Sequence, residues 1–279
     1  MSAMTYLNDI CKLTSREGHF HRKPSTSRNS IYDAADAEFL PESGRYYLYL
    51  SLACPYAHRV NIVHTLKVLE SVIFLVLIDH DMGLEGWHFS GRDGTRDAGP
   101  LYGYKRLRDL HFHADPEYTG CFTMPMLCDI KKEAVGNNKA ESAYPLGSYY
   151  QFDPNLRTQV DGGNKGVQED VNNGIYKTGS SSREAAYDEN VTKLFAALDR
   201  IESHLEQPNH PNLFGQAITD PKIWQITTMI RFDIAHFYGL SYNPRCLATS
   251  LRNQVHKGDI IVPAGPVPGI LPLPNDADV

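Results

Sequence analysis

An α/β unit followed by an all-helical one is what this sequence predicts, and three observations predict it. A strand pattern, a helical pattern and a second strand run follow one another within residues 46–79, the order and length of a βαβ unit with its right-handed parallel crossover. A cysteine and a proline, Cys54-Pro55, stand where the first strand gives way to the helix. Beyond residue 166 the clear apolar periodicity is helical.

Residues 1–40 read as a flexible, polar lead-in without the apolar core of a signal peptide. Asp9 and Glu17 precede the Arg/Ser-rich stretch 22–28 and argue against a transit peptide. Residues 46–52 alternate and are rich in β-formers, so they predict a strand. Val60, Val63, Leu66 and Leu69 repeat at helical spacing over 57–69. The run SVIFLVLID (71–79) is continuously apolar, as in a sheet position buried on both faces. A polar, Gly-rich insert occupies 80–103. Residues 123–129 predict another strand; Pro125 inside it belongs at a strand start or edge and suits a cis bond. Residues 149–166 are polar and Gly/Asn-rich and read as a linker. Over 184–205 the residues Tyr187, Val191, Leu194, Phe195, Leu198, Ile201, Glu202 and Leu205 form an amphipathic stripe. Residues 223–238 are apolar all round, a central helix, with Thr219 or Asp220 as cap and Pro221 just inside. After Asn243 the chain turns proline-rich, an extended tail. The organisation expected is therefore a lead-in (1–40), an α/β domain (41–150), a helical domain (167–250) and a tail (251–279).

The 279 residues, 42% hydrophobic, supply a substantial core. A net charge of −6 and a pI near 6.0 argue against a nucleic-acid partner. No apolar run reaches membrane-spanning length, so no membrane partner is expected. Five scattered cysteines (Cys11, Cys54, Cys121, Cys128, Cys246) fit a reduced compartment, and a cytoplasmic location is expected. Cys121 and Cys128 lack zinc-ligand spacing, and His111 with His113 reads as a surface or strand-edge pair. No metal is expected.

Cys54 carries the chemistry. A thiol in the first turn of a helix lies beside unpaired N–H groups and the positive end of the dipole, which favour the nucleophilic thiolate. Pro55 fits the first helical position, where its missing N–H costs nothing. No second cysteine follows two residues on. The partner that regenerates the thiol must come from elsewhere, and a soluble thiol is the natural one.

Six words in order carry a family resemblance: GRYYLYLSLACPYAHR (44–59), GW-x-F (86–89), LYGYKRLRDL (101–110), DPEYTG-x-x-TMP (115–125), NNGIYKTG (172–179) and TTMIRFD (227–233). Spread over about residues 40–245, they resemble the glutathione transferase superfamily and, within it, the glutathionyl-hydroquinone reductases or Xi class. The resemblance implies a thioredoxin-like domain that binds glutathione, a helical domain over an aromatic quinone conjugate, and a homodimer. It implies glutathione as co-substrate, Cys54 as nucleophile and a Tyr176 hydroxyl near the thiol. It places Trp87 against glutathione and Arg108 on a glutathione carboxylate. Tyr56 replaces the family's tryptophan beside the ligand. Met124 offers its backbone N–H and C=O to glutathione with Pro125 beside it in the binding set, and an N-E-S word anchors the γ-glutamyl group. The ordinary readings are core packing for Trp87 and Tyr176, a solvated charge for Arg108, and solvated or interdomain pairing for His58 and Arg59.

The chain departs from the pattern in several places. TMPMLCD stands for TVPVLWD, and Cys121 replaces an arginine. The anchor falls either on Lys139-Ala140 or on Glu141-Ser142, and the count from Asp129 favours Glu141-Ser142. A TEAD capping word reads Thr219-Asp220-Pro221-Lys222, and a later helix bearing an HYY word has no counterpart. Arg231 and Asp233 read as an internal charge pair. Two alternatives to the reductase stay open: a non-catalytic binding or regulatory relative, and a thiol transferase or dehydroascorbate reductase.

Overall fold

The computed structural model describes residues 15–21, 25–80, 82, 86–138, 154–181, 183–207, 213–214 and 219–232. They divide into two compact units, one drawn from residues 22–154 and one from 155–279 with 11–21 added.

The first unit is built on a four-stranded sheet of order β2-β1-β3-β4. Strand β1 (Tyr46–Ser51) runs parallel to β2 (Ile73–Ile78), with helix α1 (Pro55–Leu66) between them in sequence. Strands β3 (Met126–Asp129) and β4 (Ala134–Asn137) continue the sheet antiparallel, and α2 (Leu107–Ala114) precedes β3. Central β1 is buried at Leu48, Tyr49 and Leu50, which pack with Ala57 and Val60 of α1, Leu107 of α2 and Met126 of β3. At the end of the sheet where β1 begins and β3 stops, Arg45 donates from Nε and Nη2 to Asp129 Oδ2 at 2.9 and 2.5 Å. Against the burial that would raise it, this pair and the Lys131 and Lys132 amides hold the Asp129 carboxyl below its ordinary pKa.

Strand β2 is not buried on both faces. It is outermost in the sheet, and Phe74 and Leu75 are 49% and 40% exposed. Its apolar run fills the core side through Ile73, Val76 and Ile78; strand order, not composition, leaves the rest open. Nor do residues 25–40 behave as a lead-in. Asn29 N–H donates to Gly136 O at 3.1 Å, Asn138 N–H to Ser27 O at 3.1 Å, and Asn137 Nδ2 to Asn29 O at 2.7 Å. The open edge of β4 takes this segment as a partner. Phe39, 3% exposed, lies on Gly136, where a Cβ would stand 3.0 Å from its ring. Residues 15–21 belong to the second unit, with Gly18 (φ +93°) tight against Arg183.

The second unit begins where a linker was expected. Helix α3 (Pro154–Gly166) passes through a π-helical segment (Val167–Asn172) into α4 (Asn173–Gly179), with helical φ and ψ at both junctions. Its glycines lower propensity, but packing overrides that. Val160 is fully buried, Val167 nearly so, and Gly163 admits the Phe214 ring to within 2.2 Å of where a Cβ would be. The 172–179 word is therefore the end of a long helix. Helix α5 (Glu184–Leu205) has the bounds its stripe predicts and buries Leu194 and Ala197 against Val171, Ile175 and Phe232. Helix α6 (Asp220–Met229) has Thr219 at its N-cap and Pro221 in the first turn, but the Thr219 hydroxyl makes no cap bond. Thr228 Oγ1 donates to Asn172 Oδ1 at 2.5 Å, fastening α6 to the π segment. Arg231 donates to Thr227 O at 2.7 Å. Asp233, the rest of the helix expected to reach 238, and the tail lie outside the described residues. No described helix is long and apolar enough to cross a membrane.

Candidate functional site

The site is built on the turn between β1 and α1. Ser51 ends the strand, and its carbonyl accepts the Cys54 N–H at 3.1 Å, closing the turn. Cys54 is the N-cap residue of α1 with extended backbone (φ −83°, ψ 118°), and its carbonyl accepts the His58 N–H at 3.0 Å. Its thiol makes no cap bond with the helix. Half-buried Cys54 Sγ instead lies 3.8 Å from the carbonyl oxygen of Met124, at the cis Met124–Pro125 bond. Pro125 leads straight into β3, so the sheet fixes the backbone that the thiol faces.

Trp87 is half-buried and packs on the sheet core; its carbonyl accepts the Leu107 N–H at 2.9 Å, while Phe89 N–H donates to Lys105 O at 2.9 Å. This pairing brings the Trp87 segment to the start of α2, where Arg108 Nε lies 3.9 Å from Asp109 Oδ1. Tyr56 is only 4% exposed, with the Arg59 guanidinium 4.5 Å above its ring. Arg59 is itself 2% exposed, so the solvated reading of this residue fails; its guanidinium packs over the Tyr56 ring. Tyr176 is half-buried on α4, in the other unit. Glu141, Ser142 and the competing Lys139-Ala140 lie outside the described residues. The fold thus brings Cys54 to Met124–Pro125, and Trp87 to the helix that carries Arg108.

The other candidate groups are interior. Cys128 lies within β3 and is buried, which pushes its thiol up to about 12. His111 is 1% exposed on α2, stacked 4.5 Å from the Tyr118 ring, and burial pushes its imidazole down to about 4. It is a core side chain, not half of a surface pair. Only His113 is exposed, its Nδ1 3.1 Å from the Tyr104 hydroxyl. Two residues apart on a helix, the two imidazoles face different sides. No group of three or more potential metal ligands occurs among the described residues. Sequence reasoning missed Ser51 and Asp79, buried polar residues beside the turn; the acidic residue ending an apolar strand run was the signal for the second.

No family model matches the chain. Over 245 residues it is 38% identical to a Schizosaccharomyces pombe protein named glutathione S-transferase omega-like 2, covering 82% of this chain and 78% of that one. It is 36% identical over 244 residues to the Escherichia coli glutathionyl-hydroquinone reductase YqjG, covering 80% and 73%. The glutathione-bound structure of YqjG superposes with a TM-score of 0.68 at 31% identity over 88% and 83% of the chains. The Xi glutathione transferase of Phanerochaete chrysosporium superposes at 0.72, with 30% identity, over 94% and 97%.

Proposed function

The chain belongs to the glutathionyl-hydroquinone reductases, the Xi class of the glutathione transferases, and we propose that Cys54 uses glutathione to reduce glutathionyl-hydroquinones to hydroquinones. The Cys54 thiolate attacks the sulfur of the conjugate. A sulfur–sulfur bond forms and the aryl carbon–sulfur bond breaks. The ring carbon keeps the electron pair and takes a proton, giving hydroquinone and a Cys54–glutathione mixed disulfide. A second glutathione thiolate attacks that disulfide, releasing glutathione disulfide and the Cys54 thiolate. Atoms and electrons balance with glutathione as the only reductant.

The observation that carries this reading is the half-buried Cys54 thiol at a helix N-cap, 3.8 Å from the carbonyl that precedes a cis proline. In it, Met124 pairs through its backbone with glutathione beside Pro125, Trp87 packs on the tripeptide, and Arg108 meets a carboxylate. Glu141 and Ser142 hold the γ-glutamyl end, and the Tyr176 hydroxyl supplies the proton to the departing ring. Tyr56, covered by Arg59, supports the turn from within rather than touching the ligand. A homodimer is supported by the open edge of β2 with Phe74 and Leu75 exposed, and a cytoplasmic location by the scattered, odd-numbered cysteine pattern of the sequence.

Exposure of the protein to a glutathionyl-hydroquinone without free glutathione tests the mechanism. One glutathione adduct should appear on the Cys54 peptide by mass spectrometry, with one hydroquinone released per chain. An adduct confined to Cys121 or Cys128 would move the nucleophile elsewhere. For the anchor, Glu141→Ala should weaken glutathione about ten-fold in a calorimetric titration, the value of one charge-assisted bond. No change there would put the anchor at another position.

A further inference from the structure

Asp79 directly follows β2, and its side chain is 0% exposed. A buried carboxylate is costly unless paired. Here Arg92 donates to Oδ2 from Nε at 3.1 Å and from Nη2 at 2.9 Å. His88 Nε2 lies 3.9 Å from Oδ2, and His80 Nδ1 lies 3.5 Å from Oδ1 and 3.7 Å from Asp93 Oδ2. The backbone of the same residue reaches in two directions. Its N–H donates to His88 O at 3.0 Å, within the segment that begins at Trp87. Its carbonyl accepts the Ser51 hydroxyl at 3.0 Å, and Ser51 Oγ in turn accepts the Ala53 N–H at 3.3 Å in the turn that presents Cys54. One residue therefore ties the thiol turn to the Trp87 segment, and Arg92 locks it. The Arg92 loop is itself preset: Ser90 Oγ accepts the Arg92 N–H at 3.1 Å, and the Thr95 hydroxyl donates to Arg92 O at 2.6 Å.

We propose that Asp79 and Arg92 are positioning residues that hold the Trp87 segment at a fixed distance from the Cys54 turn and so set the width of the glutathione cleft. The inference rests on the reading of Trp87 as a wall for glutathione. Arg92 is the better handle because its side chain is 53% exposed. Arg92→Lys keeps the charge but not the two-pronged donor, and Asp79→Asn keeps the shape without the charge.

The test uses the full chain at a temperature well below unfolding, with glutathione titrated calorimetrically and in turnover. Arg92→Ala should weaken glutathione binding and raise the KM for glutathione about ten-fold, as misplacement of a binding wall does, with kcat nearly unchanged. Arg92→Lys should recover thermal stability but only part of the affinity, and Asp79→Asn should shift KM in the same direction as Arg92→Ala. A purely structural pair would instead lower the active fraction, and thus apparent kcat, at unchanged KM. That result, or wild-type affinity in Arg92→Ala, overturns the inference. Wild-type protein that binds glutathione but releases no hydroquinone would remove the proposed reaction and leave the affinity arm to judge Arg92 alone.

Discussion

Cys54 and Cys128 belong to the same sheet unit and differ in everything that governs a thiol. Cys54 stands where β1 has ended and α1 has begun, half in water, with helix N–H groups ahead of it and the Met124 carbonyl beside it. Cys128 is one residue from the end of β3, enclosed by the core, with the Asp129 carboxylate next in the chain. Burial and that neighbouring negative charge both oppose its ionisation. His111 repeats the lesson with the opposite sign, since burial keeps its imidazole neutral. The end of a sheet can carry charge chemistry because water and helix termini solvate it; in the interior a few residues away, groups with no opposite charge beside them are held neutral, and charge survives only in pairs such as Arg45–Asp129.

The largest test of this contrast is Cys54→Ala, which should lower hydroquinone release by at least about a thousand-fold, as loss of a nucleophile does. Cys54→Ser should be nearly as inactive, because its hydroxyl stays protonated. Wild-type turnover in either variant would break the contrast at its root.

A second test concerns His111 and pH. The unfolded imidazole takes up its proton as pH falls through about 6.5, whereas the folded one does so only near 4. The stability that neutral His111 confers is therefore complete above pH 6.5 and is lost as pH falls towards 4, by up to about 3 kcal/mol. Urea unfolding of wild type and His111→Leu should accordingly differ by an amount that changes between pH 7 and pH 4.5. Parallel stability curves across that window would show that His111 does not titrate as its burial demands.

The smallest effect sharpens the comparison from the other side. Cys128→Ala should cost about 1 kcal/mol of stability, the loss of one small buried apolar group, and leave turnover unchanged. In native protein, a thiol reagent should label Cys54 quickly and Cys128 only on unfolding. Rapid labelling of Cys128 would mean that β3 opens readily.

The parts legible from the sequence are those written locally. Strand, cysteine, proline and helix follow one another at the β1–α1 turn, and Pro125 marks the start of β3; that its bond suits the cis form is local, that it is cis comes from the structure. Helix α5 carries its stripe over its whole length. What was not legible depends on distant partners. Residues 25–40 have no periodicity because they meet β4 through isolated hydrogen bonds and one side chain, Phe39 on Gly136. Helix α3 looks like a linker because its glycines are weak helix formers, and only Phe214, far along the chain, explains Gly163. The exposed side of β2 follows from the order of strands. In the site, Tyr56 reads as a ligand contact beside Cys54; its burial under Arg59, three residues on along the helix, is a tertiary fact that the sequence does not display.

The π-helical segment Val167–Asn172 bears on how this chain can tolerate change in length. A π turn holds one residue more than the α turn it replaces. Deleting a residue there would restore an ordinary helix with its backbone bonds intact, so nothing would forbid it on the ground of helix geometry. The π turn and the α turn that would replace it close the same circle, so everything after the deletion would keep its angle to α3. Thr228 would still face the Asn172 end of the rod, and Tyr176 would stay on its side of it. A deletion within α3 itself has no spare residue to draw on and would turn all that follows by about 100°, the angle between successive residues of an α-helix. The extra residue is thus slack: the helix can give up one residue here, and only here, without losing its phase.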